Sequence, residues 1–454
     1  MAKAKKKESL TPEERLQAAL VPESEQPYPV PANWCWVSLQ TIDQYRASST
    51  DPSKYPDTLF ELYSVPSSAD NYPEIVPGCK IGSTKQSVQR GDILLCKINP
   101  RINRVWKVSQ YTENALLASS EWIIIRNSKI VPDYLMYCFR APYFREYMLS
   151  NVSGVGGSLM RAQPKYVKTY PVPVPPLPEQ QRIVDRIESL FTKLDEAKQK
   201  VQDALDNIET RKAAILHKAF TGELTAQWRK EHGVGMESWR RIPLKKCGSW
   251  YGGGTPSMGH PEYWENGTLL WVTSKDMKND LIEDTLMHTN MLGVENSSAN
   301  YIEEPAVLFV MRSGILRRTF PVCMVKKPFT VNQDLKALVP TDDINLEYLF
   351  WVCKANEKQI LEKCMKSGTT VESINTTALR DFEIPIAEEN EQAEIVRLLD
   401  DLLAKEQQAK EAAEGVLEQI DLMKKAILAR AFRGELGTND PREESAAELV
   451  KTII

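Results

Sequence analysis

A chain of 454 residues with 42% hydrophobic content is long enough for roughly three domains and can build several cores. Its net charge of -4 excludes a uniformly basic coat, so any surface for nucleic acid has to be local. Eight scattered cysteines without a C-x-x-C pair fit reduced thiols and argue against a disulfide framework or a zinc site.

In chain order, residues 1–27 read as an N-terminal tail. Met1 to Lys7 are lysine-rich and expected to be flexible, and 8–26 are polar. No signal-peptide core stands at the N-terminus, and no apolar run nears the roughly 18 residues of a membrane span. A cytoplasmic protein with no membrane partner is expected.

Residues 28–175 form a first globular region, with short strands near 92–98 and 122–126 and a helix near 133–150. It ends at Tyr170-Pro171-Val172-Pro173-Val174-Pro175-Pro176-Leu177-Pro178. Prolines at that density exclude helix and the interior of a regular sheet, which predicts a stiff extended connector.

Within 176–226 the period changes. Ile183, Ile187, Leu190, Leu194, Ala197, Val201, Ala204, Ile208 and Ile215 step by four and three until Arg211 interrupts. That heptad seam predicts a helix packed along its length on another helix. A second globular region spans 237–386. Residues 387–440 then repeat the helix, with Ile395, Leu399, Leu402, Ala409, Ala413, Val416, Ile420, Met423 and Ile427 as its seam and Glu406 as its break. Each helix of about 40 residues is on the order of 60 Å long. Gly222 and Gly434 stand where a C-terminal stop belongs. Residues 441–454 read as a C-terminal tail.

The two helices are copies. Glu179-Gln180-Gln181-Arg182-Ile183-Val184 returns as Glu391-Gln392-Ala393-Glu394-Ile395-Val396, and Ala219-Phe220-Thr221-Gly222-Glu223-Leu224 as Ala431-Phe432-Arg433-Gly434-Glu435-Leu436. Two like stripes in one chain bury most economically against each other, and an antiparallel pair is expected. The globular regions repeat more faintly. Trp34-Cys35-Trp36-Val37-Ser38-Leu39 matches Trp239-Arg240-Arg241-Ile242-Pro243-Leu244, and Ile93-Leu94-Leu95-Cys96-Lys97 matches Val307-Leu308-Phe309-Val310-Met311-Arg312. Asp133-Tyr134-Leu135 matches Glu347-Tyr348-Leu349, and Ser153-Gly154 matches Ser367-Gly368.

Catalytic motifs are absent from the sequence. It holds no Asn/Asp-Pro-Pro-Tyr/Phe and no glycine-rich cofactor loop of an adenine methyltransferase. Gly82-Ser83-Thr84-Lys85 lacks the upstream glycine and the following hydroxyl of a P-loop. Gly154-Val155-Gly156-Gly157 and Gly252-Gly253-Gly254 read as tight turns. His217, His232, His260 and His288 show no metal-ligand spacing.

Charge is more informative. Between 75 and 110, Lys80, Lys85, Arg90, Lys97, Arg101, Arg104 and Lys107 face only Asp92. Between 305 and 340, Arg312, Arg317, Arg318, Lys326, Lys327 and Lys336 face only Asp334. The basic stretches occupy corresponding places in the two halves, whereas 387–440 is acidic. Two phosphate-contacting faces are expected, with Lys85, Lys97, Arg101, Arg104, Lys107, Arg312, Arg317, Arg318 and Lys326 as DNA contacts. An arginine there also has the reach to read a guanine edge.

Gly252-Gly253-Gly254-Thr255-Pro256-Ser257, Pro261-Glu262-Tyr263-Trp264 and Leu270-Trp271-Val272 resemble the opening of a target recognition domain. The runs at 176–184 and 212–224 resemble the spacer helix of the same family, the DNA specificity subunit of type I restriction-modification systems. The resemblance covers about 28–440. Two departures stand out: the first half lacks Gly-Gly-Gly-Thr-Pro-Ser after Leu39, and Glu388-Glu389-Asn390 replaces Pro176-Leu177-Pro178.

The resemblance implies an α+β chain: two similar mixed α/β target recognition domains separated by two long helices packed as an antiparallel coiled coil. It implies a non-catalytic subunit that binds bipartite double-stranded DNA, one half-site per domain, with the helices setting the gap. It further implies docking of two methyltransferase subunits and of restriction subunits. S-adenosylmethionine, ATP and Mg would serve those partners, with no cofactor bound by this chain. The competing readings are a self-contained methyltransferase or nuclease of unusual motif, active alone, and a coiled-coil scaffold with no DNA role.

Overall fold

The computed structural model describes residues 11–150, 152–153, 160–366 and 371–454. The lysine-rich Met1 to Lys7, the glycine run at 154–157 and the Ser367-Gly368 match lie outside them. Contacts divide the chain into two compact units, Met1–Val201 with Gly415–Ile454, and Gln202–Glu414. Both divisions fall inside the long helices Leu177–Phe220 and Glu389–Ala431.

In the first unit, strand Ile93–Cys96 lies between Val105–Lys107 and Trp122–Ile125, antiparallel to both. One face of these strands packs on helix Pro132–Arg140 through Ile93, Leu95, Ile123 and Ile125, which alternate as a strand buried on one side requires. The other face, with Leu94, Cys96, Ile124 and Trp106, closes a second cluster. In the second unit, Ala306–Val310 lies between Val322–Val325 and Leu335–Pro340, again antiparallel, inside a five-stranded sheet. Helix Leu346–Ala355 supplies Tyr348, Leu349, Phe350 and Val352 to that core.

The long helices run antiparallel in each unit, the expected polarity, which their shared pattern alone does not give. In the first, Lys424 pairs with Asp195 at 2.5 Å and Lys198 with Asp421 at 3.6 Å, one number falling as the other rises. In the second, Arg211 meets Glu406 at 2.8 Å, so the two interruptions of the heptad seams face each other. The hydrogen bonds of this pair raise the arginine and lower the carboxyl from their ordinary values. Gly222 and Gly434, just beyond the helix ends, take φ of 82° and 74°, the left-handed cap that glycine adopts without a Cβ clash.

Each unit is fastened to the head of a long helix in the same way. Glu179 accepts from the Trp34 indole at 2.8 Å, and Glu391 from the Trp239 indole at 2.9 Å. Gln180 accepts from the Val131 amide and Gln392 from the Asn345 amide, at 2.9 and 2.8 Å, each just ahead of a domain helix. The Tyr134 hydroxyl donates to Pro173 O, and the Tyr348 hydroxyl to Pro385 O. The aligned residues of the two halves therefore do equivalent work, which accounts for their being the residues that align.

The connector at 170–178 is extended up to the helix start at Leu177, as expected, and is also paired: Pro171–Val174 pairs with Cys35–Ser38, as Glu383–Ile386 pairs with Arg240–Pro243. In a two-stranded ribbon alternate amides point away from the partner, so prolines at every second position are tolerated. The helix expected at 133–150 is two, Pro132–Arg140 and Pro142–Ser150, because Pro142 holds Ala141 extended at ψ 149°. The polar segment before Tyr28 holds helix Pro12–Ala19, capped reciprocally by Thr11 and Glu14. The segment after 440 holds helix Ala446–Ile453, which buries Ala446 and Val450 in the first unit's core with Leu16. The first is too short for its few apolar residues to stand out in a polar window, and the second, though largely apolar, is only eight residues long.

Candidate nucleic-acid interface

The central strand of each unit leads into a hairpin whose tip is basic. In the first, residues 97–104 join Ile93–Cys96 to Val105–Lys107. A single turn, Pro100–Ile102, is bracketed by Asn99 and Asn103 at φ 48° and 49°. Left-handed backbone is uncommon outside glycine, and asparagine tolerates it best. Two such residues turn the chain sharply enough to push Arg101 and Ile102 into solvent, Ile102 being 53% exposed.

In the second unit, residues 311–321 join Ala306–Val310 to Val322–Val325 through the turn Gly314–Arg317. Its tip presents Ile315, 41% exposed, with Arg317 and Arg318. Each hairpin is laced along one side to the strand segment that follows the domain helices. Asn99 N donates to Met160 O and Ala162 N to Lys97 O, both at 2.9 Å. Ser313 N donates to Glu372 O at 3.1 Å and Ile374 N to Met311 O at 2.8 Å. Backbone on both flanks thus fixes the base of each loop, while the tip side chains stay outward.

Of the expected contact residues, Lys97, Arg101, Arg104, Arg312, Arg317 and Arg318 come together on these two loops. Lys85 does not: it lies on strand Lys85–Ser87 of a different sheet and bonds to Ser83. Lys107 is held by Asp133 at 2.5 Å and Lys326 by Glu347 at 2.6 Å. Arg317 is engaged by Glu372, whose carboxyl the arginine holds below its ordinary value. A cation neutralised within its own chain offers less to a phosphate, and the sequence could not reveal partners that lie 26, 21 and 55 positions away.

Residues missed by sequence reasoning are Arg140, Arg145 and Lys425, which line a cleft with Arg104, and the exposed isoleucines at the tips. Lys425 arrives from the second long helix, outside any local window.

Among the described residues, no group of three or more His, Cys, Asp or Glu is placed to hold a metal ion. Burial pushes the Cys247 and Cys323 thiols up to about 12, far from the thiolate that nucleophilic chemistry needs. No helix among the described residues is long and apolar enough to cross a membrane.

A family model for the type I restriction modification DNA specificity domain matches residues 88–206 and 236–415. The specificity subunit of the type I restriction enzyme EcoR124I/EcoR124II of Escherichia coli is 33% identical over 233 residues, 48% of this chain and 56% of that protein. The EcoDI specificity subunit, also of Escherichia coli, is 31% identical over 207 residues, 45% of each chain. The chain spans about half the length of these curated relatives.

Among solved structures, the HsdS subunit from Thermoanaerobacter tengcongensis superposes with a TM-score of 0.62 at 20% identity, covering 91% of this chain and 100% of that one. A chain from a type I R-M system, solved for its complex assembly and conformational transition, superposes with a TM-score of 0.73 at 21% identity, covering 90% and 100%. At these identities the likeness is one of fold.

Proposed function

The chain belongs to the type I restriction modification DNA specificity domain family, and on that premise we propose that it is the non-catalytic subunit that selects the DNA sequence for a restriction-modification complex. Each unit reads one half of a bipartite double-stranded site through its hairpin tip. The antiparallel helices set the gap between half-sites and dock two methyltransferase subunits, which restriction subunits join. S-adenosylmethionine, ATP and Mg serve those partners. The division is physically sensible, since groove reading and methyl transfer need different surfaces.

One observation carries the reading: a laced hairpin with a basic tip occurs twice, and each copy hangs on the same Glu-Gln anchor at the head of a long helix. Within it, Lys97, Arg101, Arg104, Arg312 and Arg318 are the leading contacts. Lys85, Lys107, Arg317 and Lys326 are secondary ones, because each is already bonded within the chain.

The test is to delete one heptad from each long helix and sequence the methylated bases in cells carrying the complex. The two half-sites should persist with a changed gap. Half-sites at their original spacing would refute the ruler, and loss of salt-sensitive, sequence-selective binding in the wild-type complex would refute the DNA role.

A further inference from the structure

Beside the first hairpin lies a cleft of about 710 Å³, lined among others by Ile102, Arg104, Trp106, Arg140, Arg145 and Lys425. Glu146 is the acid on its wall. Arg140 ends helix Pro132–Arg140 and donates Nη2 to Val105 O at 3.0 Å, a neutral acceptor. Burial holds its guanidinium below the usual arginine range. Arg145 donates Nη2 to Arg101 O at 2.5 Å, and its buried Nε meets no protein acceptor.

Among the described residues, no ion pair engages Arg104, Arg140, Arg145 or Lys425. Elsewhere the chain pairs buried or half-buried arginines with acids: Arg126 with Asp92 at 2.6 Å and Arg229 with Glu391 at 2.6 Å. Burying the Arg140 guanidinium without an ion pair is costly, so a cleft that gathers it with Arg104, Arg145 and Lys425 is set for an anion from outside.

We propose that this cleft seats a phosphate group of the DNA backbone, clamped by Arg104, Arg140 and Arg145 beside the first hairpin tip. It rests on the DNA-reading role above and adds a positioning contact at the half-site read by the first unit. Arginine suits the task because its planar fork bonds two phosphate oxygens at once. The Nη2 bonds of Arg140 and Arg145 to backbone carbonyls pre-orient their guanidiniums. A phosphate seat carries no base information, so its effect falls on all sequences alike.

The experiment uses the complex reconstituted with its methyltransferase subunits, a duplex carrying the motif found by methylome sequencing, and a scrambled duplex. Affinity is measured across a salt series for wild type, Arg104→Gln with Arg145→Gln, and Arg104→Lys with Arg145→Lys. The glutamine pair should weaken both duplexes by a similar factor and flatten the log–log salt slope by about 1, one phosphate's share. The lysine pair, which keeps charge without the fork, should fall between, and the methylated motif should not change.

Unchanged slope and affinity in the glutamine pair, with melting temperature preserved, would overturn the seat while leaving the DNA role standing. Tripolyphosphate binding at one equivalent without competing with DNA would also overturn it, since the phosphate would then belong to a free nucleotide. A wild-type complex without sequence-selective binding would sink both.

Discussion

Glu179 and Glu391 head the two copies of the repeated helix and accept from equivalent indoles, yet their remaining partners differ in charge. Glu391 meets the Arg229 guanidinium and the Thr225 hydroxyl, each at 2.6 Å. Glu179 meets Asn439 at 2.8 Å and Thr438 at 3.3 Å, both neutral. Glu391→Gln should cost about 3–5 kcal/mol, because it strands a buried arginine. Glu179→Gln should cost about 1.5–3 kcal/mol, the value of hydrogen bonds to a charged acceptor. Hydrogen exchange at the amides of 225–239 and 34–38 would report each anchor separately, and equal losses would rule out the arginine as the source of the difference. The tips make a second comparison. One exposed isoleucine means little on a protein surface, but Ile102 and Ile315 occupy the same place on two hairpins among arginines. Apolar side chains read thymine methyls in the major groove. Ile102→Ala and Ile315→Ala should therefore each relax the methylated motif at one position of a different half-site, a loss of about 1–3 kcal/mol in discrimination. A motif unaltered in both variants would assign the isoleucines no role in reading.

The heptad seams carry an instruction in their two defects. Arg211 stands where the other copy has Met423, and Glu406 where the other copy has Leu194. The bidentate bond of Arg211 to Glu406, at 2.9 and 2.8 Å, satisfies both in one register only. A polar pair in an otherwise apolar seam discriminates against heptad-shifted and intermolecular pairings, which two near-identical stripes would otherwise permit. Replacing both, Arg211→Leu with Glu406→Leu, should leave helix content intact but generate higher-order species in sedimentation. A monodisperse double variant would show that the apolar contacts alone fix the register. Acid should act in the same direction: the Glu406 carboxyl is lowered by Arg211, so the pair's contribution is present above the ordinary carboxylate value and fades as pH falls through the lowered one. At this scale the sequence was legible wherever the pattern was long. The seams, their breaks and the glycine stops all read directly from residue order. That the breaks bond to each other was not legible, nor that Lys107, Arg317 and Lys326 spend their charge on Asp133, Glu372 and Glu347. Those facts depend on which side chains the fold brings together, and no local period encodes them.

Chain order and structural unit do not coincide. The first unit takes its hairpin and sheets from the N-terminal part, but its core is completed by Leu428, Ala431, Phe432, Ala446 and Val450. Asn439 reaches Glu179 at 2.8 Å, Glu443 holds Arg182 at 2.7 Å, and Ala446 N donates to Asn33 O at 2.9 Å. The second unit draws every residue of its core from within Gln202–Glu414. Truncating the chain after Gly437 should therefore loosen the N-terminal recognition unit, not the unit that precedes the cut in sequence. The deletion uncovers the Glu179 carboxylate and the apolar surface around Trp34 and Val37, both parts of the first core. Limited proteolysis should move to sites within 12–45, and amide exchange should rise at 35–38 and 171–174 while 306–310 and 335–340 keep their protection. In the reconstituted complex, the truncated chain should retain selectivity for the half-site read by the second hairpin and lose it for the first. Faster exchange confined to 306–340 would mean that the C-terminal segment supports the nearer unit after all, and the interleaved construction inferred from these contacts would fail.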